Sequence, residues 1–138
     1  SYGLLTKSTT AEPYSYTIFS DSSSTSYSAD ANYKLQGVAG GTPVAFRVSG
    51  GKITSMRNLY TLASSSSVQA VETGRIMLGG TIYKLSDFAE IIDITDSTNY
   101  RTISMDELMS MKHASVSVYS DQRLADGGIG KLLTVYSK

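Results

Sequence analysis

The sequence contains no cysteine and no tryptophan, and only one histidine and two prolines among 138 residues. The absence of cysteine excludes disulfides, thiol catalysis and thiolate metal sites. No apolar run approaches the roughly 18 residues that indicate a membrane span, so we expect none. Lysine plus arginine and aspartate plus glutamate both number 12, which gives a formal net charge of zero. A neutral chain lacks the basic field that attracts nucleic acid, and we expect no nucleic-acid partner.

Serine, threonine, glycine and tyrosine take the place of charged residues, which make up only 17% of the chain. Ten tyrosines and many threonines favour strands over helices. A chain of this length buries one proper core or two small cores. The composition therefore predicts a β-rich globular protein.

Short alternating segments separated by glycine turns run along most of the chain. Val44, Phe46 and Val48 share one face of a predicted strand, and Gly50-Gly51 then turns the chain into a returning strand. Gly79-Gly80 marks a second tight hairpin, and ASVSVY at 114–119 alternates strictly. Frequent short strands of this kind predict a barrel or a sandwich. We predict an all-β, mainly antiparallel fold, with two small β-barrel or sandwich-like units and one short α-helix near 105–111.

The predicted helix has a capping signal at its start. Ser104 and Glu107 are spaced as in a capping box, in which the serine oxygen accepts the amide of the third helical residue. An apolar side follows, formed by Met105, Leu108, Met109 and Met111.

The run of four serines at Ser64–Ser67 indicates a boundary, because a serine tract buries no apolar area. We therefore predict an N-terminal β-module at 1–61, a serine-rich linker or loop at 62–67, and a C-terminal β-module with the helix at 68–138. The two halves end in similar hairpins, each with Gly-Gly shortly before a lysine. Either an ancient duplication or the turn residues that β-hairpins generally share would explain this likeness.

Few residues suggest chemistry. His113 follows the helix, where a basic side chain favours the negative end of the dipole, and no partner for a general base is evident. Two aspartate pairs, Asp93 with Asp96 and Asp121 with Asp126, bracket turns; they suit backbone capping better than calcium binding, although calcium is a weak alternative. No nucleophile elbow or phosphate loop is present. We predict no enzyme, and we assign no catalytic, cofactor-binding or metal-ligating residue.

An ordered series of motifs in the second half resembles a known class of proteins. The series is GRIMLGGTIYKLSD at 74–87, IIDITD at 91–96, YRTISMDEL at 100–108 and VSVYSD at 116–121. It resembles the β-rich regions of bacterial S-layer and S-layer-homology-containing surface proteins. YGLLT at 2–6 and VSGGKITSM at 48–56 are similar to the small β-module that often precedes such regions. The resemblance implies a secreted, Gram-positive-type cell-envelope protein whose β-modules serve as spacers or assembly units, and it supplies no catalytic residues.

The first hypothesis is therefore a non-enzymatic structural, assembly or spacer module of an extracellular surface-layer protein. Its partners would be other domains of a larger surface protein, further copies of itself through sheet edges, or cell-wall glycan. The second hypothesis is an OB-like barrel that holds a carbohydrate or another ligand on clustered, exposed tyrosines. The third is an accessory domain of an enzyme, with a pocket between the halves in which Asp or His side chains converge.

Overall fold

The computed structural model describes residues 1–9, 11–33, 35 and 41–137. The chain divides into two compact units, Ser1–Leu59 and Tyr60–Lys138. Each unit is a closed five-stranded barrel, and one short α-helix belongs to the second. The prediction of an all-β fold with two barrel units and one helix is confirmed. Among the described residues, no helix is long and apolar enough to cross a bilayer.

The first barrel is built from five short strands, most of them paired antiparallel. The strands are β1 (Tyr2–Ser8), β2 (Tyr14–Ser20), β3 (Ser23–Ala29), β4 (Thr42–Ser49) and β5 (Lys52–Asn58). Their order around the barrel is β1-β2-β3-β5-β4, and β4 pairs back onto β1. A short parallel pairing of β3 with β5 completes the closure.

Alternation of side chains explains the first core. Tyr16 and Ile18 face inward on β2, and Val44 and Phe46 do so on β4, while the residues between them are more exposed. Partly buried tyrosines surround this cluster. Gly3 lies beside β2, where a Cβ would come within 2.6 Å of Ile18 Cγ2. A glycine at this position therefore leaves room for the Ile18 side chain.

The second barrel repeats this plan with two longer strands, β6 (Tyr60–Glu72) and β8 (Thr81–Asp93). The other elements are β7 (Arg75–Leu78), β9 (Arg101–Ile103), α1 (Met105–Ser110), β10 (Ala114–Ser120) and β11 (Gly130–Ser137). The strand order is β11-β10-β6-β7-β8-β9, and a parallel pairing of β11 with β8 closes the barrel and leaves β9 outside on β8. A 3-10 turn, Leu124–Asp126, lies between β10 and β11.

Both barrels have the same connectivity. In the second barrel the five strands are β6, β7, β8, β10 and β11, because β9 lies outside the barrel. In each barrel the first strand pairs with the second and the fourth, and the third pairs with the second. The fifth strand pairs antiparallel with the fourth and in parallel with the third. This is the order of the five-stranded Greek-key OB barrel. The two hairpins that look alike in sequence are the fourth and fifth strands of their respective barrels.

The helix begins as its capping signal predicts. The Ser104 hydroxyl oxygen accepts the Glu107 amide at 3.1 Å, and Asp106 and Glu107 lie in the first turn. Leu108 is buried in the core of the second barrel, together with Ile76, Ile91 and Val116. The helix ends at Ser110, one residue before the predicted apolar side does.

The segment 62–67, predicted as a linker or loop and containing the serine run Ser64–Ser67, lies inside β6, and the units divide after Leu59. Ser66 and Ser67 pair with β10, and the Ser65 amide donates to Ser117 Oγ at 2.9 Å. The serine hydroxyls lie largely on the outer side of a barrel strand, where polarity costs nothing. Composition alone therefore misplaces the boundary by several residues.

The sequence pattern also predicts a strand over Ser26–Leu35 and a turn at Ser86-Asp87. The strand β3 ends at Ala29 instead, and position 34 lies outside the described residues, as does position 138 of the C-terminal module. Ser86-Asp87 lies inside β8, in a part of the strand that has more residues than β11 opposite it.

Candidate functional site

The widened part of β8 is an unusual surface feature of the second barrel. Leu85 pairs with Gly130 and Glu90 pairs with Leu132, so four residues of β8, 86–89, lie opposite Lys131 alone. The extra residues leave the plane of the sheet as a bulge. Within the bulge, the Phe88 amide donates to Ser86 Oγ at 3.2 Å. The Phe88 side chain is 93% exposed, which is extreme for an aromatic residue.

A groove of about 480 Å³ opens beside the bulge. Leu85, Ile91 and Ile103, all of them core residues, form its apolar floor. Its walls come from the β6–β7 turn, from the bulge itself and from the start of α1; the apolar wall residues are Val71, Ala89, Met105 and Met109. Met109 is 61% exposed, so this wall leaves apolar surface in water.

Three carboxylates, those of Glu72, Asp87 and Asp106, stand at the groove. Glu72 is neutralised by Arg75, with 2.6 Å between the carboxylate and the guanidinium. Among the residues that the structure describes, no basic side chain lies within ion-pair distance of Asp87 or Asp106. The groove therefore combines an apolar floor with a negative rim.

Asp93, a candidate from the sequence, lies at the end of β8 and is buried. Its Oδ1 accepts the Thr95 amide at 3.0 Å, and its Oδ2 lies 3.1 Å from Arg101 Nη2. Burial alone would raise the pKa of this carboxyl, but the hydrogen bonds from Thr95 and the Arg101 guanidinium together hold the pKa below its ordinary value. Arg101 also reaches Glu107 at 3.4 Å, so it links β8, β9 and α1.

The other aspartates occupy separate turns. The Asp96 carboxylate accepts the amide and the hydroxyl of Thr98, and these bonds lower the pKa of Asp96. Asp126 ends the 3-10 turn, and Asp121 follows β10. In the described part of the chain, no three His, Asp or Glu residues are grouped as metal ligands. The structure thus gives Asp93 and Asp96 the backbone-capping role that their turns predict.

His113 is exposed in the short connection from α1 to β10, with a left-handed backbone φ of 57°. The helix has already ended at Ser110, so the imidazole is not part of its last turn. No hydrogen bond to this ring occurs among the described residues.

The tyrosines do not form an exposed cluster. Tyr16 and Tyr119 are buried, Tyr60 and Tyr136 are about two-fifths exposed, and the other six are half-buried. The Tyr33 hydroxyl donates to the Ile53 carbonyl oxygen at 3.2 Å, and Arg123 lies over the Tyr60 ring at 5.6 Å. These contacts hold the rings within their own barrels, and the arrangement does not favour a tyrosine-lined ligand face.

Strands two and three of an OB barrel form its usual ligand face. In the first barrel these are β2 and β3, which carry no charged residue. Their outer face is lined with hydroxyls: Thr17 Oγ1 and Ser26 Oγ are 2.8 Å apart, and Thr6 Oγ1 donates to the Thr17 carbonyl oxygen. This face is neutral and polar.

Sequence reasoning missed Phe88 and its groove. In the sequence, residues 86–88 have the pattern of a polar turn followed by an ordinary apolar residue. The unequal number of residues in β8 and β11 depends on how the two strands pair, and no local sequence pattern reveals it. Every buried polar side-chain atom of the described residues has a hydrogen-bond partner.

No protein-family model, curated protein sequence or solved structure matches this chain.

Proposed function

We propose that this chain is a non-enzymatic structural module of a secreted bacterial cell-surface protein, in which two barrels in tandem act as a spacer or assembly unit. The observation that carries the proposal is the repetition of one barrel topology, each copy with its own core. Proteins that must extend or tile commonly repeat a self-contained domain. The likeness of the second-half motifs to S-layer proteins supports the same role.

The use of polar residues also supports a structural role. Asp93 and Arg101 tie strands to the helix, and Asp96 closes its own turn. Among the described residues, the groups with shifted pKa values are Asp93, Asp96 and Tyr100, and each shift follows from local bonds or, for Tyr100, from burial. Perturbed groups of an active site would instead converge in a cleft.

The test is the location of the chain on its source cells. Antibodies raised against the purified protein would be applied to intact cells and to permeabilised cells. A surface module predicts equal labelling of both, with a cytoplasmic protein as the control that labels permeabilised cells alone. Labelling only after permeabilisation would overturn the proposal.

A second candidate function is glycan binding on the hydroxyl face of β2 and β3, which the OB strand order favours. Binding of the purified chain to isolated cell-wall polysaccharide would test it. Thr17→Val with Ser26→Ala removes the hydroxyl pair and should abolish binding, whereas the exposed Ser110→Ala in the other barrel should not. Unchanged binding by the double variant would reject this face.

A further inference from the structure

The groove beside the bulge occupies a gap between two strands. β11 pairs with one side of β8, both before the bulge and after it. On the other side, β7 pairs with β8 as far as Lys84, and β9 pairs with β8 only from Ile91 onward. No described strand pairs with residues 86–89 on this side, and three of these four residues line the groove. The gap is therefore open to an extended chain lying beside β8.

The groove is large enough to hold apolar side chains of such a chain. Its volume of about 480 Å³ lies within the range of about 300–1,000 Å³ that ligand sites occupy. The floor consists of the core residues Leu85, Ile91 and Ile103, and Met109 on the wall is 61% exposed. A ligand that covers this wall removes apolar surface from water, which favours binding.

The charges at the groove are all of one sign once its internal ion pair is set aside. The lining includes three carboxylates and no lysine, arginine or histidine. Arg75 neutralises Glu72, but no described basic side chain lies within ion-pair distance of Asp87 or Asp106. Because the chain as a whole has a formal net charge of zero, this negative excess is local. It attracts a cationic segment and repels an acidic one.

We propose that the groove binds an extended, basic segment of a partner protein. An apolar side chain of the segment enters the groove, and a neighbouring lysine or arginine reaches Asp87 or Asp106. A chain added beside a strand gains main-chain hydrogen bonds, and its alternate side chains supply specificity. A second copy with the same groove facing this one would bring like charges together, so the rim disfavours self-association there.

The experiment begins with a library of random short peptides that is displayed on phage and selected on the full chain, because such a library contains every side-chain chemistry. Peptides enriched on the wild type should carry an apolar residue with a neighbouring lysine or arginine. A parallel selection on Met109→Lys should enrich none of them, because this substitution puts a positive charge into the apolar wall. Met109→Leu is the matched control: it keeps the wall apolar, and it should enrich the same peptides.

The most enriched peptide, synthesised with a fluorophore, is then titrated with each variant by fluorescence polarisation. We expect a Kd between about 1 μM and about 100 μM for the wild type, since small interfaces are weak. Asp87→Asn and Asp106→Asn should each raise the Kd by about two- to fivefold, as the loss of a solvent-exposed ion pair does. Asp126→Asn removes an exposed carboxylate from the 3-10 turn of the same barrel and should leave the Kd unchanged.

Two further measurements accompany the titrations. Sodium chloride should raise the Kd of the wild type, because salt screens the attraction between the peptide and the rim. All the substituted side chains are exposed, and unchanged thermal unfolding would confirm that the variants fold.

Three results would overturn the proposal: no peptide enriched on the wild type over Met109→Lys, enriched peptides that lack basic residues, or a Kd that neither salt nor the substitutions at Asp87 and Asp106 change. A wild-type dimer in sedimentation velocity that Met109→Lys abolishes would also overturn it, because a second copy would then occupy the groove.

The docking site goes beyond the surface role proposed above, and the two fail separately. Labelling of intact cells without any enriched peptide would keep the surface module and reject the groove as a docking site. Groove-dependent peptide binding by a chain that is labelled only in permeabilised cells would reject the surface role and keep the docking site.

Discussion

Arg101 Nη2 lies 3.1 Å from Asp93 Oδ2, and the two side chains differ greatly in exposure: 58% for Arg101 and 8% for Asp93. The carboxylate is therefore the buried partner, and the guanidinium covers it from the solvent side. A second bond from Thr95 fixes its other oxygen. The junction of β8, β9 and α1 depends on this carboxylate remaining charged.

Asp93→Asn should destabilise the protein at neutral pH and less so in acid. The folded-state pKa of Asp93 is lowered relative to the unfolded chain. Its contribution is therefore fully present above the unfolded value, and it is lost as pH falls through the folded value. We expect a loss of roughly 1–3 kcal/mol in the free energy of unfolding near pH 7, since a charged hydrogen-bonded group is removed.

Urea unfolding of both proteins between about pH 7 and about pH 3 measures this difference. Asp96→Asn is the comparison, because Asp96 also has a lowered pKa but is exposed, and its effect should be smaller. A difference in the free energy of unfolding between wild type and Asp93→Asn that stays constant down to the lowest pH would show that the charge of Asp93 does not stabilise the fold.

Gly3→Ala should destabilise the first barrel by overpacking. An alanine Cβ would lie 2.6 Å from Ile18 Cγ2 and 2.8 Å from the Phe19 carbonyl oxygen, and that backbone oxygen cannot turn aside as a side chain can. Overpacking of this kind typically costs about 1–3 kcal/mol. Ser8→Ala, at the exposed end of the same strand, should change the free energy of unfolding far less. Equal unfolding midpoints for Gly3→Ala and Ser8→Ala would contradict the prediction, because they would show that β1 and β2 make room for the added methyl group at little cost.

Local signals account for the part of the fold that the sequence predicts. The hairpin turn at Gly50-Gly51 needs positive φ values, which the structure shows, and the Ser104 cap depends on residues three apart. Both are decided within a few residues. The strand order of the whole barrel is not decided locally, because closing the barrel joins β11 to β8 across more than thirty residues of intervening chain.

The candidate site was beyond prediction for the same reason. Phe88 is exposed because β8 has four residues where β11 has one, and this mismatch exists only after the strands pair. The serine run shows the converse: its composition is typical of a linker, but partners on β10 fix it as a strand. Tertiary pairing overrides local preference at both places.

Ser117→Ala tests how the serine run is held. The Ser65 backbone has a left-handed φ of 44°, and its amide donates to the buried Ser117 hydroxyl at 2.9 Å. Losing this acceptor should cost about 0.5–1.5 kcal/mol. Ser66→Ala removes only a bond to the nearby Ser64 carbonyl oxygen and should be nearly neutral. The rate of hydrogen exchange at the Ser65 amide should rise in Ser117→Ala and not in Ser66→Ala. Equal exchange rates in the two variants would show that the Ser117 hydroxyl does not protect this amide.

Cutting the chain between Leu59 and Tyr60 should leave two fragments that fold. Each fragment contains all five strands of its barrel and its own core. Residues 60–138 should show cooperative urea unfolding, and residues 1–59 should be less stable, because a domain of about 60 residues buries a smaller fraction of its surface. Circular dichroism and amide NMR dispersion of each fragment measure this.

The decisive comparison is a second cut between Ser66 and Ser67, at the place where composition suggests a linker. This cut divides β6, so residues 67–138 lose the part of the strand that pairs with β10 at Tyr60, Thr61 and Ala63. The second barrel then keeps only the end of β6 that pairs with β7, and Val116 and Val118 lose their partners Ser66 and Ala63 on β6. That fragment should be unfolded or aggregated, whereas residues 60–138 should fold. If residues 67–138 fold as well as residues 60–138, β6 contributes little and the serine run does act as a linker.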